Sequence, residues 1–481
     1  MNFKIIARVL GLLLVVEGLA MLVALMVAVM YKGPDVSAFI YSSMICILPG
    51  LAIVGLTSKA PKNISKREGF VIVSLVWLVF SLFGSLPYVI SGSIPDYTNA
   101  FFETMSGFTT TGSSILEYIE ELPHGILFWR SLTQWLGGMG IIVLSLSFMP
   151  IFGIGGMQLF AAEVPGPTPD KISPKIHQTA RMLWLIYILF TTLETLLLWA
   201  GGMSLFDSVN HSLTTMATGG FGTKQDSVAY WDSAYIQYVI IFFMIIAGTN
   251  FSLTYLVLKG RISRLYKDEE FKYYIFFIVG FTIVIFSGLL ITTTLGVEQA
   301  FRDSLFQVVS IITTTGFATA DYVTWEPILV ILVFALFFFG GSAGSTGGGI
   351  KIMRIVVLLK NSYYELRRIV HPNAVIPVRF NQHSVDAKIV NNVLAFFMFY
   401  MLVFFVSSII FMLFVPDLAT SMGAVATSLG NIGPGIGDVG PSQTFLSIHP
   451  LGKWFLSFLM MLGRLELFTV LVLFSPSFWK H

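Results

Sequence analysis

The strongest constraint on this chain is a short glycine turn that recurs four times, each time after a stretch too short to cross a membrane. The turns read TTTG at Thr109–Gly112, MATG at Met216–Gly219, TTTG at Thr313–Gly316 and GNIG at Gly430–Gly433. Their last glycines lie 107, 97 and 117 residues apart. Backbone at membrane depth must be hydrogen-bonded or line a watery cavity, so irregular turns there need a purpose. Four such turns at near-constant spacing predict four copies of one unit wrapped around a single axis. That is how one polypeptide builds an ion-selective pore.

Hydrophobic residues make up 55% of the chain and charged residues 11%, which excludes a set of soluble domains. Apolar runs long enough for about 30 Å of hydrocarbon occur throughout, among them 5–31, 70–90 and 273–291. The first run is too long for a signal-peptide core and reads as a retained helix. Cys46 is the one cysteine, so neither an intrachain disulfide nor a cysteine cluster is possible. Of the 28 Lys and Arg, 22 fall in one alternating set of loops and only 4 in the set that carries the turns. The positive-inside rule therefore puts both termini in the cytoplasm and opens the four turns outward. The outer set holds 15 of the 26 carboxylates, which would raise the local cation concentration at a pore mouth.

The expected fold is an all-α polytopic membrane protein of about ten spans and four re-entrant pore helices. Residues 1–68 form an N-terminal transmembrane hairpin. Four pore repeats follow at 69–162, 163–264, 265–380 and 381–481. Each repeat has an outward helix, a short re-entrant segment and an inward helix: 70–90, 99–110 and 128–148; then 182–201, 205–217 and 235–258; then 273–291, 298–314 and 327–359; then 390–415, 418–430 and 451–473. Acidic residues near the re-entrant starts (Glu103, Asp207, Glu298, Asp417) suit the positive end of a helix dipole.

Glycine permits positive φ and lets carbonyl oxygens approach a narrow axis. Rings of such carbonyls can replace the hydration shell of K⁺. The candidate filter residues are Thr110, Thr111 and Gly112, then Ala217, Thr218 and Gly219, then Thr314, Thr315 and Gly316, and Asn431, Ile432 and Gly433. A K⁺ ion held there would be the bound metal and the cargo. Four turns in register carry far more weight than one TTTG.

The stretches SGFTTTGSS (106–114), MATGGFGT (216–223), ITTTGFATAD (312–321) and NIGPGIGD (431–438) resemble the four filter loops of the Trk/Ktr/HKT superfamily of K⁺ transporters, most closely its bacterial TrkH/TrkG branch. The resemblance covers essentially the whole chain, including two extra N-terminal helices. It implies K⁺ translocation across a bacterial inner membrane, a pseudo-fourfold pore, a homodimer, and control by a cytoplasmic TrkA-like nucleotide-binding regulatory subunit with Rossmann-like domains. In plant relatives a serine at the first filter glycine goes with Na⁺ transport, so Gly112 points to K⁺. The fourth turn departs from the pattern with Ile432 in place of a threonine.

The run Gly340, Gly341, Ser342, Ala343, Gly344, Ser345, Thr346, Gly347, Gly348, Gly349 interrupts an inward helix. Each glycine costs a helix about 1 kcal/mol relative to alanine. Two readings stand: a polar flap below the filter, which the resemblance makes the intramembrane gate, or a small-residue packing face. Arg464 lies inside the last helix, where a buried arginine should face the pore or a partner. It reads as an electrostatic plug, or as a structural residue bound to Glu466 or to loop carbonyls; Glu466 at i+2 is on the wrong face for direct pairing. Arg130 reads as an anchor for the pore helices, and Glu17 and Glu194 receive no role.

Gly344–Lys351 lacks the Gly-Lys-Ser/Thr ending of a P-loop, and Gly435–Gly440 matches GxGxxG with no βαβ unit around it. Nucleotide regulation must therefore come from the partner, and no cofactor is expected. No HExxH or nucleophile–base motif supports an enzyme. The remaining rival is a secondary transporter coupling K⁺ to H⁺ or Na⁺. The basic loop 351–388 suits topology, anionic-lipid contact or docking of the regulatory subunit.

Overall fold

Apolar stretches dictate long helices here, and polar caps end them. The computed structural model describes residues 1–60, 64–140 and 176–480. Among these, six helices are long and apolar enough to cross a bilayer: Phe3–Met30, Val36–Leu56, Lys66–Ser91, Ala180–Ala200, Glu269–Thr292 and Ala387–Phe411. Two sharply bent pairs bring the number to eight. The expectation of about ten also needs the pair Pro327–Leu336 and Ile352–Val370, and the segment that begins at His124. The predicted span 128–148 runs beyond the described residues, as does the boundary at 162. A two-residue antiparallel pairing, Arg379–Phe380 with His383–Ser384, is the only sheet among the described residues.

Phe3–Met30 and Val36–Leu56 form a close hairpin because small residues let the backbones approach. A Cβ added at Gly50 would stand 2.8 Å from the Gly11 carbonyl oxygen, and one at Gly18 would stand 3.1 Å from that of Ser43. Lys66–Gly84 starts with a capping box in which the Ser65 and Glu68 side chains bond each other's backbone N–H. This span is 61% buried over its most apolar window, against 22% for Glu269–Thr292. The first lies largely in the protein interior and the second largely on its surface.

Four short helices, Tyr97–Phe108, Leu205–Met216, Val297–Ile312 and Leu418–Gly430, occupy the predicted re-entrant positions. At 1.5 Å per residue, 12 residues reach about 18 Å, short of the bilayer. Asp96, Ser204 and Asp417 cap three of them, each accepting from a backbone N–H three residues on at 2.9, 3.0 and 2.7 Å. Such caps are worth about 1 kcal/mol each. Glu103 does not mark a helix start as expected: it lies in mid-helix, fully buried, and binds an arginine.

The inward helices differ most from expectation. Residues 235–258 form two helices, Ala234–Ala247 and Phe251–Leu258, that meet at 107°. Residues 451–473 divide into Pro450–Arg464 and Phe468–Phe474, meeting at 109°. Thr249 and Asn250 make the first break, where the Asn250 side chain caps the new helix. In the second, Glu466 and Leu467 take positive φ values of 53° and 56°. Residues 327–359 divide into Pro327–Leu336 and Ile352–Val370 around the glycine-rich run, as its composition predicts.

Candidate functional site

Each short helix ends in the same hydrogen-bonded turn. The N–H groups of Thr111, Gly219, Thr315 and Ile432 donate to the carbonyls of Ser106, Thr214, Ser310 and Thr427, all five residues back, at 2.8–3.0 Å. This is a Schellman closure, which requires a left-handed residue just before the donor. That residue is Thr110, Thr218, Thr314 or Asn431, with φ of 53°, 53°, 59° and 53°. Asparagine tolerates this region, whereas a β-branched threonine there is strained by about 1–3 kcal/mol.

Two residues on, Gly112, Gly220, Gly316 and Gly433 also have positive φ. The second turn is thus offset by one from its sequence reading. Its equivalent trio is Thr218, Gly219 and Gly220, while Ala217 matches Thr109 and Thr313. Gly219 stands where the other turns have Thr111, Thr315 and Ile432. The doublet Gly219-Gly220 offered two candidate glycines, and the MATG motif pointed to the earlier one.

The four turns abut in a closed cycle. A Cβ added at Gly112 would overlap the Gly219 carbonyl oxygen; at Gly220, that of Thr315; at Gly316, that of Ile432. At Gly433 it would stand 3.0 Å from the Thr111 carbonyl oxygen, which returns to the first turn. Gly112, Gly220, Gly316 and Gly433 together line one cavity of about 80 Å³.

Side chains brace this arrangement from behind. The hydroxyls of Thr109 and Thr111 pair at 2.8 Å, as do those of Thr313 and Thr315. In the fourth turn Asn431 replaces the hydroxyl strut, donating to Thr111 Oγ1 and to the Met460 carbonyl, each at 2.9 Å. Ser113 donates to the Gly433 carbonyl at 2.9 Å. Gln134, which sequence reasoning missed, donates to the Gly219 carbonyl at 2.6 Å and accepts from Phe221 N at 3.0 Å. A single amide within an apolar helix was its only signal.

On one side of the turns, Arg130 Nε meets Glu103 Oε1 at 2.6 Å with both side chains buried. The guanidinium also donates to the Gly222 carbonyl at 2.8 Å and lies 3.7 Å from the Phe221 ring centroid. Glu103 additionally accepts from Ser114 Oγ and Ile115 N. The pair thereby ties the chain leaving the first turn to the chain leaving the second.

On the opposite side, residues 340–349 pass under the turns as a folded flap. Gly340 N donates to the Ile350 carbonyl and Ile352 N to that of Gly341, closing its base at 2.8 and 3.3 Å. Ser342 N donates to the Gly248 carbonyl, and the Gly344 carbonyl accepts from Phe251 N, so the flap docks at the break in the second inward helix. Ser345 is partly exposed, and its hydroxyl is without a partner among the described residues. Thr346 Oγ1 reaches the Met216 carbonyl at 3.1 Å, and Gly348 N donates to Thr314 Oγ1 at 2.8 Å. Lys351 Nζ bonds the Gly347 carbonyl. A Cβ at Gly348 would meet Asn431 and the Gly430 carbonyl at 2.7 Å, and Gly349 takes a φ of 64°.

Arg464 completes the contact from the last helix. It donates to Thr110 Oγ1 at 3.1 Å, to the Thr346 carbonyl at 2.7 Å, and to the Gly137 and Gly138 carbonyls at 2.5 and 3.0 Å. Glu466 turns away and pairs with Arg354, whose guanidinium lies over the Phe396 ring. The carbonyl-bound alternative for Arg464 and the flap contact therefore coexist. Glu17 and Glu194 are completely buried, and the Glu17 carboxylate has no hydrogen-bond partner among the described residues.

Residues 36–481 match the family described as TrkH: Cation transport protein. The chain is 41% identical to the Trk system potassium uptake protein TrkH of Escherichia coli (strain K12), with all of both chains covered. It is 32% identical to TrkG of the same organism over 100% of this chain and 99% of that one. The crystal structure of the potassium transporter TrkH from Vibrio parahaemolyticus superposes over the full length of both chains with a TM-score of 0.90 at 37% identity. With its many spans, bent helix pairs and re-entrant segments, the chain belongs to the TrkH family of cation transport proteins, which are transporters and not enzymes.

Proposed function

We propose that this protein is the K⁺-conducting membrane subunit of a Trk-type uptake system in a bacterial inner membrane. The observation that carries the reading is the closed cycle of four turns, each glycine set against the next turn's carbonyl. Backbone carbonyls around that axis replace the waters of a dehydrated K⁺. The short helices end there, so their partial negative charges favour a cation over an anion. The filter residues are Thr110 to Gly112, Thr218 to Gly220, Thr314 to Gly316 and Asn431 to Gly433, with Ile432 making the fourth wall the poorest in hydroxyls. Pore repeats bounded as in the sequence, pairing into a homodimer, complete this reading.

The flap 340–349 and Arg464 serve as the gate. Peptide groups and a guanidinium beneath the filter block and repel K⁺, and conduction requires both to move. Control belongs to a cytoplasmic TrkA-like nucleotide-binding subunit, since the chain's own glycine motifs do not form a nucleotide site. The fully buried carboxyl groups of Glu17 and Glu194 favour one alternative, coupling of K⁺ to H⁺.

Reversal potentials in liposomes separate the two. Under the channel reading the K⁺ gradient alone sets the reversal, and Rb⁺ substitutes better than Na⁺ or Li⁺. A reversal that moves with pH at fixed K⁺ overturns it in favour of coupling. Deleting 344–348 should raise basal flux without the regulatory subunit, and an unaltered flux removes the flap from the gate.

A further inference from the structure

We infer that the protein binds one anionic phospholipid at the cytoplasmic end of the span Glu269–Thr292, a site separate from the conduction path. A cavity of about 670 Å³ opens there, between the start of that span, the helix Ile352–Val370 and the Arg379–Ser384 hairpin. Lys267, Lys272, Lys360 and Arg379 line it together with the carboxylate of Glu269. Glu269 is already engaged, by Lys360 and by the Asn381 N–H at 2.8 Å. The ion pairs among the described residues leave Lys267, Lys272 and Arg379 without a carboxylate. Three cations of the cavity thus have no ion-paired carboxylate among the described residues, and the one lining carboxylate, Glu269, is taken by Lys360. Basic pockets of this kind, on the side the positive-inside rule assigns to the cytoplasm, suit a phosphate-bearing headgroup.

The adjoining surface identifies the ligand as a lipid. Lys272, Phe276, Val279 and Ile283 follow one another at helical spacing down one face of the span. Phe276, Val279 and Ile283 are 66%, 48% and 56% exposed, so the basic cavity continues into an apolar stripe open to hydrocarbon. Seven residues of helix descend about 10 Å, enough to carry the stripe from headgroup depth into the acyl region. Tyr273 and Phe276 line the cavity itself, where aromatic side chains suit the membrane interface. A free phosphate would use the cations and leave the stripe bare, whereas a diacyl phospholipid occupies both. Glu270, next to the cavity, accepts from the N–H groups of Ala343 and Met353 at 2.7 and 3.1 Å. The headgroup therefore sits one residue from a carboxylate that holds both sides of the flap.

The test is native mass spectrometry of the detergent-purified full chain, titrated with dioleoylphosphatidylglycerol, dioleoylphosphatidylcholine or inorganic phosphate. A first phosphatidylglycerol should bind about tenfold or more tightly than phosphatidylcholine and resist displacement by excess phosphate. Each cation facing an anionic headgroup is worth about fivefold in affinity, so Lys272→Gln with Arg379→Gln should weaken phosphatidylglycerol about 25-fold. Phosphatidylcholine binding should not change. Equal binding of the two lipids, unchanged affinity in the double variant, or displacement by phosphate each overturns the lipid site. If the double variant fails to fold, Lys267→Gln and Lys272→Gln singly carry the test at about fivefold each.

Discussion

Two arginines, Arg130 buried and Arg464 half-buried, lie on either side of the ring of turns, and they are held differently. Arg130, on the side away from the flap, is locked into a carboxylate and stacked on an aromatic ring. Arg464, on the flap side, divides its described hydrogen bonds among a threonine hydroxyl and three backbone carbonyls from two segments, and lies 5.9 Å from the Trp77 ring centroid. A buried ion pair is costly to break because the surviving charge stays desolvated. Carbonyl acceptors are neutral and can be exchanged for water or for one another. Charge holds Arg130 in place, whereas the described acceptors of Arg464 are uncharged.

The harshest way to break this contrast is Arg130→Ala, which strands Glu103 in the interior. It should cost about 3–5 kcal/mol, read as a large drop in thermal unfolding temperature or loss of folded protein. A melting point near that of the parent would show that the pair is dispensable.

Arg464→Ala should destabilise less, by about 1–3 kcal/mol for the hydrogen bonds lost, while raising basal K⁺ flux severalfold. Wild-type flux from a well-folded variant would make Arg464 merely structural. Between the arginines, Gly316→Ser forces a side chain onto the Ile432 carbonyl and should shift the K⁺/Na⁺ permeability ratio about tenfold, equivalent to about 1.4 kcal/mol. An unchanged ratio removes that turn from the filter.

The smallest effect belongs at the periphery. Asp417→Ala removes a helix cap worth about 1 kcal/mol. Hydrogen bonds from the Thr420 hydroxyl and amide hold the Asp417 carboxyl below its ordinary range. Its contribution is therefore present above the unfolded carboxyl's pKa and fades as pH falls through the lower folded value. The alanine variant should lose that portion of the acid-side destabilisation, measured by melting temperature against pH.

Hydropathy made the straight spans legible, because burial in lipid acts on every residue of a span. The turns and the flap were legible because glycine strings announce backbone that no helix can hold. What stayed hidden depends on partners distant in sequence. Glu103 looked like a helix-start carboxylate until Arg130 arrived beside it, 27 residues on. Glu466 and Leu467 carry no turn signal, yet the chain reverses there where Arg354 takes the Glu466 carboxylate. The offset at Gly219-Gly220 follows from which glycine meets the Thr315 carbonyl, and local pattern does not encode that contact.

The cycle of glycine against carbonyl has a thermodynamic corollary. Adjacent turns share a contact, whereas Gly112 and Gly316 belong to turns on opposite sides of the cycle. Free-energy changes from substitutions in neighbouring turns will therefore fail to add, and those in opposite turns will come closer to adding. Under the proposed filter, ion discrimination becomes a cooperative property of the whole circuit, with no separable share owned by a single repeat.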